Sequence, residues 1–401
     1  MLINRPDYLE AIREFQNTKI IKILIGLRRS GKSTLLKLIQ KQLLESGVLP
    51  EQILEINMEL LENEFLKDYH ALNQYIIEKL DETHKTYLFI DEIQEVPSFE
   101  KVLSSLLVRD DIDIYVTGSN SKMLSGELST LLSGRYVEIP VYPFSYPECL
   151  RLLEAENKNN ENSFNGWLLH GGLPYAIGLS DRGWTTYVDG IYNTVLIRDV
   201  IQRRKISDVS LLDSLSKYLA DNISNAVSSN GIANYLTSSG KKTTANTVDS
   251  YLRALTDAYL VYPVDRYDLR GKKIFDRNQK YYFGDTGLRQ HLVGDHLRDF
   301  GRLLENAVFL ELKRRGYRVY TGRLGQEEVD FVAIRGNETH YFQVAASILD
   351  EKTREREFRV LEKIHDNFPK TVLSLDSFDF SRDGIRHQNL SDFFLETSAD
   401  S

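Results

Sequence analysis

The spacing of apolar positions changes several times along the chain, and each change predicts an element. Residues 20–25 form an apolar run, read as a buried strand. Leu35, Leu36, Leu38, Ile39, Leu43 and Leu44 then recur at helical spacing, and Gly47 stands where a C-cap belongs. Strand-like runs at 53–58, 86–91, 112–116 and 136–141 alternate with helical segments, which predicts an α/β domain with a parallel sheet. Pro140 and Pro143 mark a change of character. Helical spacing returns at 187–206, followed by three short helices over 211–223, 230–237 and 247–258. An extended ribbon covers 260–264 and 280–283, with a basic turn at 266–273. A helix over 303–315, a strand from 317, a hairpin over 327–347, a helix over 351–368 and a last strand at 371–375 complete the pattern.

A chain of 401 residues exceeds what one core usually covers, so two or three domains are expected. The 42% hydrophobic and 27% charged fractions are those of a globular protein. No run of about 18 apolar residues predicts a membrane span, and the first residues lack a signal peptide's apolar core. One cysteine, Cys149, excludes an intrachain disulfide. These features place the chain in the cytoplasm as an expectation. The net charge of -8 argues against broad coating of DNA and leaves room for a local basic patch.

The first chemistry lies between the first strand and the first long helix. Gly26, Leu27, Arg28, Arg29, Ser30, Gly31, Lys32, Ser33 and Thr34 carry G-x-x-x-x-G-K-S-T. Glycines let backbone N–H groups wrap phosphates, and the helix N-terminus adds positive potential. Lys32 is expected to reach the β and γ phosphates, and Ser33 to hold Mg²⁺. The strand at 86–91 ends in Asp91 and Glu92, placed for the Mg²⁺ shell and for polarising water. The strand at 112–116 runs into Thr117-Gly-Ser119-Asn120, which serves either as a γ-phosphate sensor or as a turn. Arg135 precedes the strand at 136–141; it completes a site in cis, completes one in a neighbouring subunit, or is a surface arginine.

Together these motifs resemble the AAA+-like bacterial and archaeal ATPases of the P-loop superfamily, over about residues 1–145. The resemblance implies that Lys32 and Ser33 hold phosphate and Mg²⁺, Asp91 is the metal-shell acid and Glu92 the catalytic base. Sensor roles for Ser119 or Asn120 and a role for Arg135 follow the same resemblance.

Residues 146–290 have the order of a winged helix: three helices, then a ribbon with a basic turn. Candidate DNA contacts are Lys241, Lys242, Asn246 and Arg253 on the third helix, with Arg270, Lys272 and Lys273 on the wing. Asp249 and Asp257 on that helix count against DNA, and winged helices also dock proteins. Arg198, Arg203, Arg204 and Lys205 read as a solvated basic face. Residues 291–401 resemble the restriction-endonuclease-like PD-(D/E)XK core. That family binds Mg²⁺ at positions matching Glu305, Asp330, Gln343 and Ala345. Gln343 and Ala345 stand where that site uses a carboxylate and a lysine, so the resemblance implies a degenerate nuclease domain. Gly171-Gly-Leu-Pro174, Asp199, Phe283-Gly-Asp285-Thr-Gly287-Leu and Glu328-Val-Asp330-Phe resemble, along nearly the full chain, a family of ATPases whose C-terminal domain has no assigned function.

The expected function is ATP binding and Mg²⁺-dependent hydrolysis, coupled to conformational change acting on DNA or a protein partner. The alternatives are an ATP-dependent nuclease and a nucleotide-gated scaffold with little turnover. Arg135 acting in trans would require a homo-oligomer. The eight histidines show no zinc spacing.

Overall fold

The computed structural model describes residues 2–81, 83–120, 132, 134–158, 163–202, 204, 206, 208–271, 273–294 and 300–396, without the side chains of Asp276 and Arg277. Two compact units result: Met1–Tyr142 with Asp257–Tyr259, and Pro143–Thr256 with Leu260–Ser401. Arg203 and Lys205 of the expected basic face and Lys272 of the expected wing lie outside the described residues.

In the first unit, β1 (Ile21–Ile25), β2 (Ile53–Asn57), β3 (Thr86–Asp91), β4 (Ile112–Gly118) and β5 (Tyr136–Pro140) form a parallel sheet in the order β2-β3-β4-β1-β5. Helices Pro6–Arg13 and Lys32–Glu45 cover it. Leu9 and Ile12 of one, and Leu35, Leu36, Ile39 and Leu43 of the other, pack with Leu24, Phe89 and Tyr115 from the strands. Each such aliphatic side chain contributes roughly 1.5–3 kcal/mol on full burial. The Phe89 and Tyr115 rings stack at 4.7 Å. The same core holds a buried ion pair, Lys22 with Asp113, and Asp113 also accepts from Tyr115 Oη at 2.8 Å and from the Asn17 N–H at 2.9 Å. Because every strand is parallel, the C-terminal ends of β1, β3 and β4 share one edge of the sheet, where open α/β folds place their ligands.

The second unit opens with helices Tyr146–Ala155, Ser163–His170 and Asp181–Thr194, the last running into a π-helical segment Val195–Gln202. Helices Val209–Asp221, Ser229–Ser238 and Ala245–Asp257 follow, the three short helices expected from the sequence. Beyond them a mixed sheet contains β6 (Val261–Asp268), β7 (Lys273–Phe283), β8 (Arg318–Leu324), β9 (Glu327–Arg335), β10 (Glu338–Val344), β11 (Lys370–Ser374) and β12 (Ile385–Asn389), in the order β12-β11-β10-β9-β8-β6-β7.

This sheet changes the reading of the ribbon. β6 and β7 pair antiparallel, as expected of a wing, but β6 also pairs parallel with β8 through Arg266–Thr321, Tyr267–Gly322 and Asp268–Arg323. The ribbon is therefore part of the C-terminal sheet and does not project by itself. The strand expected to be last, β11, is followed by β12, which pairs parallel with it. The helix read to 368 ends at Glu362.

The glycine motifs meet in one joint. The Asp285 carboxylate accepts from the Gly172 N–H at 2.8 Å and caps helix Thr286–Val293 through the Leu288 N–H at 3.0 Å. A Cβ on Gly172 would stand 2.2 Å from the Phe144 carbonyl oxygen, and one on Gly287 equally close to that of His170. These positions need glycine because backbone passes against backbone. Cys149 is buried, and burial pushes its thiol up to about 12, which leaves it unreactive.

Candidate nucleotide site

The loop leaves β1 at Gly26, whose φ of +144° and missing side chain let the chain pass the Val141 carbonyl; a Cβ there would lie 2.3 Å from that oxygen. Arg29 at φ +66° and Gly31 at φ +99° complete the turn into helix Lys32–Glu45. Lys32 is buried, and its Nζ donates to the carbonyls of Gly26 at 3.0 Å and Leu27 at 3.1 Å. The Ser30 N–H also donates to Leu27 O, at 3.2 Å. Arg28 pairs with Glu59 at 3.1 Å.

One residue that the motif does not contain braces this loop. Arg5, just ahead of helix Pro6–Arg13, donates from one guanidinium nitrogen to Ser30 O at 3.1 Å and from the other to Tyr142 O at 2.9 Å. It is buried and stacks on the Tyr8 ring, 4.3 Å from the centroid. No pattern in the sequence joins Arg5 to a loop twenty-five residues later; Pro6 at the helix start was the only local cue.

β4, lying between β1 and β3, supplies the polar frame for the two acids. Thr117 Oγ1 donates to Asp91 Oδ1 at 2.5 Å and accepts from the Glu92 N–H at 2.9 Å. Ser119 Oγ donates to Glu92 Oε1 at 2.9 Å, and Gln94 Nε2 donates to the other oxygen. The Ser33 hydroxyl hydrogen-bonds Asp91, and Asn57 Nδ2 reaches it at 3.4 Å. Both acids are buried. Burial pushes Asp91 above the usual carboxylate range, against the bonds from Thr117 and Ser33. Burial also opposes the charge on Glu92, but Lys32, Gln94, Arg28 and Ser119 outweigh it and hold Glu92 below its ordinary value.

Lys32, Ser33, Asp91, Glu92 and Ser119 thus converge at one sheet edge, with Asn120 buried just beyond. Ser119 meets Glu92 there, a contact its proposed phosphate-sensing role did not anticipate. The hydroxyl of Ser33 and the carboxylate of Asp91 are the hard oxygen donors that suit Mg²⁺, so the residues fit that ion. Arg135 does not join them. Its carbonyl accepts from the Ile21 N–H at 3.1 Å, at the start of β1, about 13 Å along the strand from the loop. Within this chain it stands at the opposite edge of the sheet.

In the second unit the nuclease-like positions are gathered in part. Glu305 on helix Phe300–Arg314 and Asp330 on β9 lie in one polar cluster. Gln343 Oε1 accepts from the Asp330 N–H at 2.7 Å, and Gln343 Nε2 donates to Glu357 at 2.8 Å. Ala345 belongs instead to an apolar cluster with Val329, Ile348, Phe358 and Val372. Sequence reasoning missed Lys280, Tyr282 and Glu357. Lys280 Nζ lies 3.1 Å from Glu305 and 2.6 Å from Glu328, and Tyr282 Oη donates to Glu305 at 2.5 Å. The two-residue spacing of Lys280 and Tyr282 on a strand was the available signal.

Of the DNA candidates, Asn246 and Arg253 are exposed on helix Ala245–Asp257, whereas Lys241 and Lys242 precede that helix; Lys242 is exposed and Lys241 donates to Ser210 Oγ. Lys273 and Arg270 are exposed at the ribbon tip. The two groups do not converge. Asp249 of that helix acts on Tyr281, and Lys273 lies eight residues back along β7, about 26 Å away.

An AAA domain model matches residues 18–150, and a domain of unknown function matches residues 161–299. The chain is 37% identical to an uncharacterized protein of Haemophilus influenzae, over 98% of this chain and 99% of that one. It is 28% identical to an uncharacterized protein of Methanocaldococcus jannaschii, over 93% of this chain and 85% of that one. Among solved structures, the Walker-type ATPase of Pyrococcus abyssi superposes with a TM-score of 0.54 at 17% identity, covering 72% of this chain and 95% of that one. That likeness shows a shared P-loop fold.

Proposed function

Since the chain belongs to the family of that Haemophilus influenzae protein and its residues 18–150 match an AAA domain, we propose that it binds ATP with Mg²⁺ and hydrolyses it to drive a conformational change. The observation that carries this reading is the convergence of Lys32, Ser33, Asp91 and Glu92 at the C-terminal edge of one parallel sheet. Lys32 and the loop N–H groups bind the phosphates. Mg²⁺, when bound through Ser33 and the shell acid Asp91, neutralises charge on the transferring phosphoryl group. Glu92 is held as a carboxylate and orients the attacking water; Ser119 and Gln94 fix its two oxygens. Thr117 bonds both acids and keeps them in register.

Turnover of the wild type, Lys32→Ala and Glu92→Gln tests this. Lys32→Ala is expected to lose nucleotide binding, and Glu92→Gln to keep binding while turnover falls by about 10²–10⁴. Equal turnover in all three sinks the assignment. The hydrolysis cycle acts on DNA or on a protein. Exposed Asn246 and Arg253 on helix Ala245–Asp257, with exposed Lys242 ahead of it, support the first; Asp249 on the same helix supports the second. An anisotropy titration with duplex DNA at two salt concentrations separates them, because counterion release makes affinity fall with salt. Absence of binding at low salt assigns the face to a protein.

A further inference from the structure

The fold resemblance of the second unit implies Mg²⁺ at Glu305 and Asp330, yet the residues present do not suit it. Among the described residues, no group of three or more His, Cys, Asp or Glu side chains is arranged to hold a metal ion. One oxygen of each of these two acids is already committed. The Asp330 carboxylate accepts from the Val344 N–H at 2.9 Å. Gln343, the neutral residue at a ligand position, spends its carbonyl on the Asp330 N–H and its amide on Glu357. A single oxygen of Glu305 takes both Lys280 Nζ and Tyr282 Oη.

We propose that the ammonium of Lys280 takes the place of the divalent cation among Glu305, Glu328 and Asp330, making the C-terminal sheet a metal-independent module. Lys280 reaches the cluster from β7, a strand outside the region that the nuclease resemblance covers. Only 4% of its side chain is exposed, and an isolated lysine so buried would lose its proton. Here its Nζ lies 3.1 Å from Glu305 and 2.6 Å from Glu328, and opposite charges at that range favour the ammonium form. A monovalent ammonium hydrogen-bonded to two carboxylates repels a divalent ion from the same oxygens. The arrangement also has a positioning role. Glu305 holds Lys280 and Tyr282, while its neighbour Asn306 accepts from the Phe283 N–H at 2.7 Å and donates to Phe283 O at 3.0 Å. Two consecutive helix residues thereby fasten one edge strand to the domain. The lysine does for the fold what a structural metal would do: it compensates buried negative charge and links separate segments.

The test is Mn²⁺ binding by the full chain without nucleotide, read by electron paramagnetic resonance, for wild type, Asp330→Asn, Lys280→Met and Lys280→Met/Asp330→Asn. Wild type and Asp330→Asn are expected to bind the same number of ions. Lys280→Met is expected to melt several degrees lower, to recover with millimolar Mn²⁺, and to gain an ion that the double variant lacks. A Mn²⁺ ion that wild type binds and Asp330→Asn loses overturns the proposal and restores a nuclease-type site. A Lys280→Met protein that melts like wild type overturns it as well. Should Lys280→Met fail to fold, the wild-type and Asp330→Asn comparison decides alone. None of these variants touches the phosphate loop, so the outcome is independent of the ATPase assignment.

Discussion

Asp285→Asn reads out the joint between the glycine motifs. The carboxylate is fully buried, and burial pushes its pKa up from 3.8 to about 6, against the N–H groups of Gly172, Leu288 and Gly287 that favour the charge. A folded pKa above the unfolded one means that the protonated form is favoured by folding. That stabilisation is present in full below pH 3.8 and is lost as pH rises through about 6. The separation corresponds to about 3 kcal/mol in all, of which about 1.3 kcal/mol is lost between pH 5 and pH 7. Asparagine keeps the shape but cannot titrate, and its NH₂ faces an N–H donor. It should cost about 1–3 kcal/mol at both pH values. The pH-dependent part should disappear. Both tryptophans, Trp167 and Trp184, lie in this unit, so urea unfolding followed by their fluorescence reports it selectively. Other titrating groups, His170 among them, cancel when the pH 5-to-7 change in the variant is subtracted from that in wild type. A difference near 1 kcal/mol, with wild type favoured by the lower pH, is expected. A difference of zero, or one of opposite sign, refutes the account of Asp285.

Three further variants probe the first unit. Gly26→Ala places a methyl group against Val141 O and should weaken ATP-analogue binding more than tenfold; unchanged affinity means that the loop does not need that close approach. Asp113→Asn leaves Lys22 buried without an ionised partner and should cost about 3–5 kcal/mol, measured by circular dichroism in denaturant; a loss under 1 kcal/mol shows that the pair contributes little. Arg5→Ala removes the brace on Ser30 O and should raise the Kd for nucleotide about tenfold while leaving saturated turnover near wild type, since Arg5 bonds the loop rather than either acid. A fall in turnover at unchanged Kd would contradict that role.

What the sequence made legible was local. The phosphate loop and its helix lie within twenty contiguous residues, and the spacing of Leu35 to Leu43 marks the buried face that the structure shows, while Leu44 is left exposed. Asp91 ends a fully buried strand and Glu92 follows it, so their placement followed from the strand itself. The ribbon was misplaced for the opposite reason. Its hairpin is local, but its second partner, β8, lies more than fifty residues on, and nothing in residues 261–283 specifies that parallel pairing. β12 escaped notice because it reads Ile-Arg-His-Gln-Asn: polar composition hides a strand whose Ile385, His387 and Gln388 are nevertheless buried. Lys280 stayed hidden because its partners Glu305 and Glu328 come from two later elements.

The adjacent acids at the end of β3 show why sequence position alone does not assign roles. Asp91 closes the strand and pairs in register with Asn57 of β2, so its carboxylate stays with the sheet edge and meets Thr117 and Ser33. The next residue, Glu92, turns to φ +55°, a left-handed conformation that non-glycine residues seldom adopt. That turn sends its side chain toward Ser119 and Gln94 and into the field of Lys32 and Arg28. The backbone N–H of Glu92 is held by the same Thr117 hydroxyl that donates to Asp91, so one side chain fixes both outcomes. Two neighbouring carboxylates are thereby driven in opposite directions, one raised by burial and one kept charged by cations. Environments that separate a pair of acids in this way suit the division of labour proposed for them. Exchanging the order of the two residues would keep the composition of the motif and lose that division, because only the second position carries the turn.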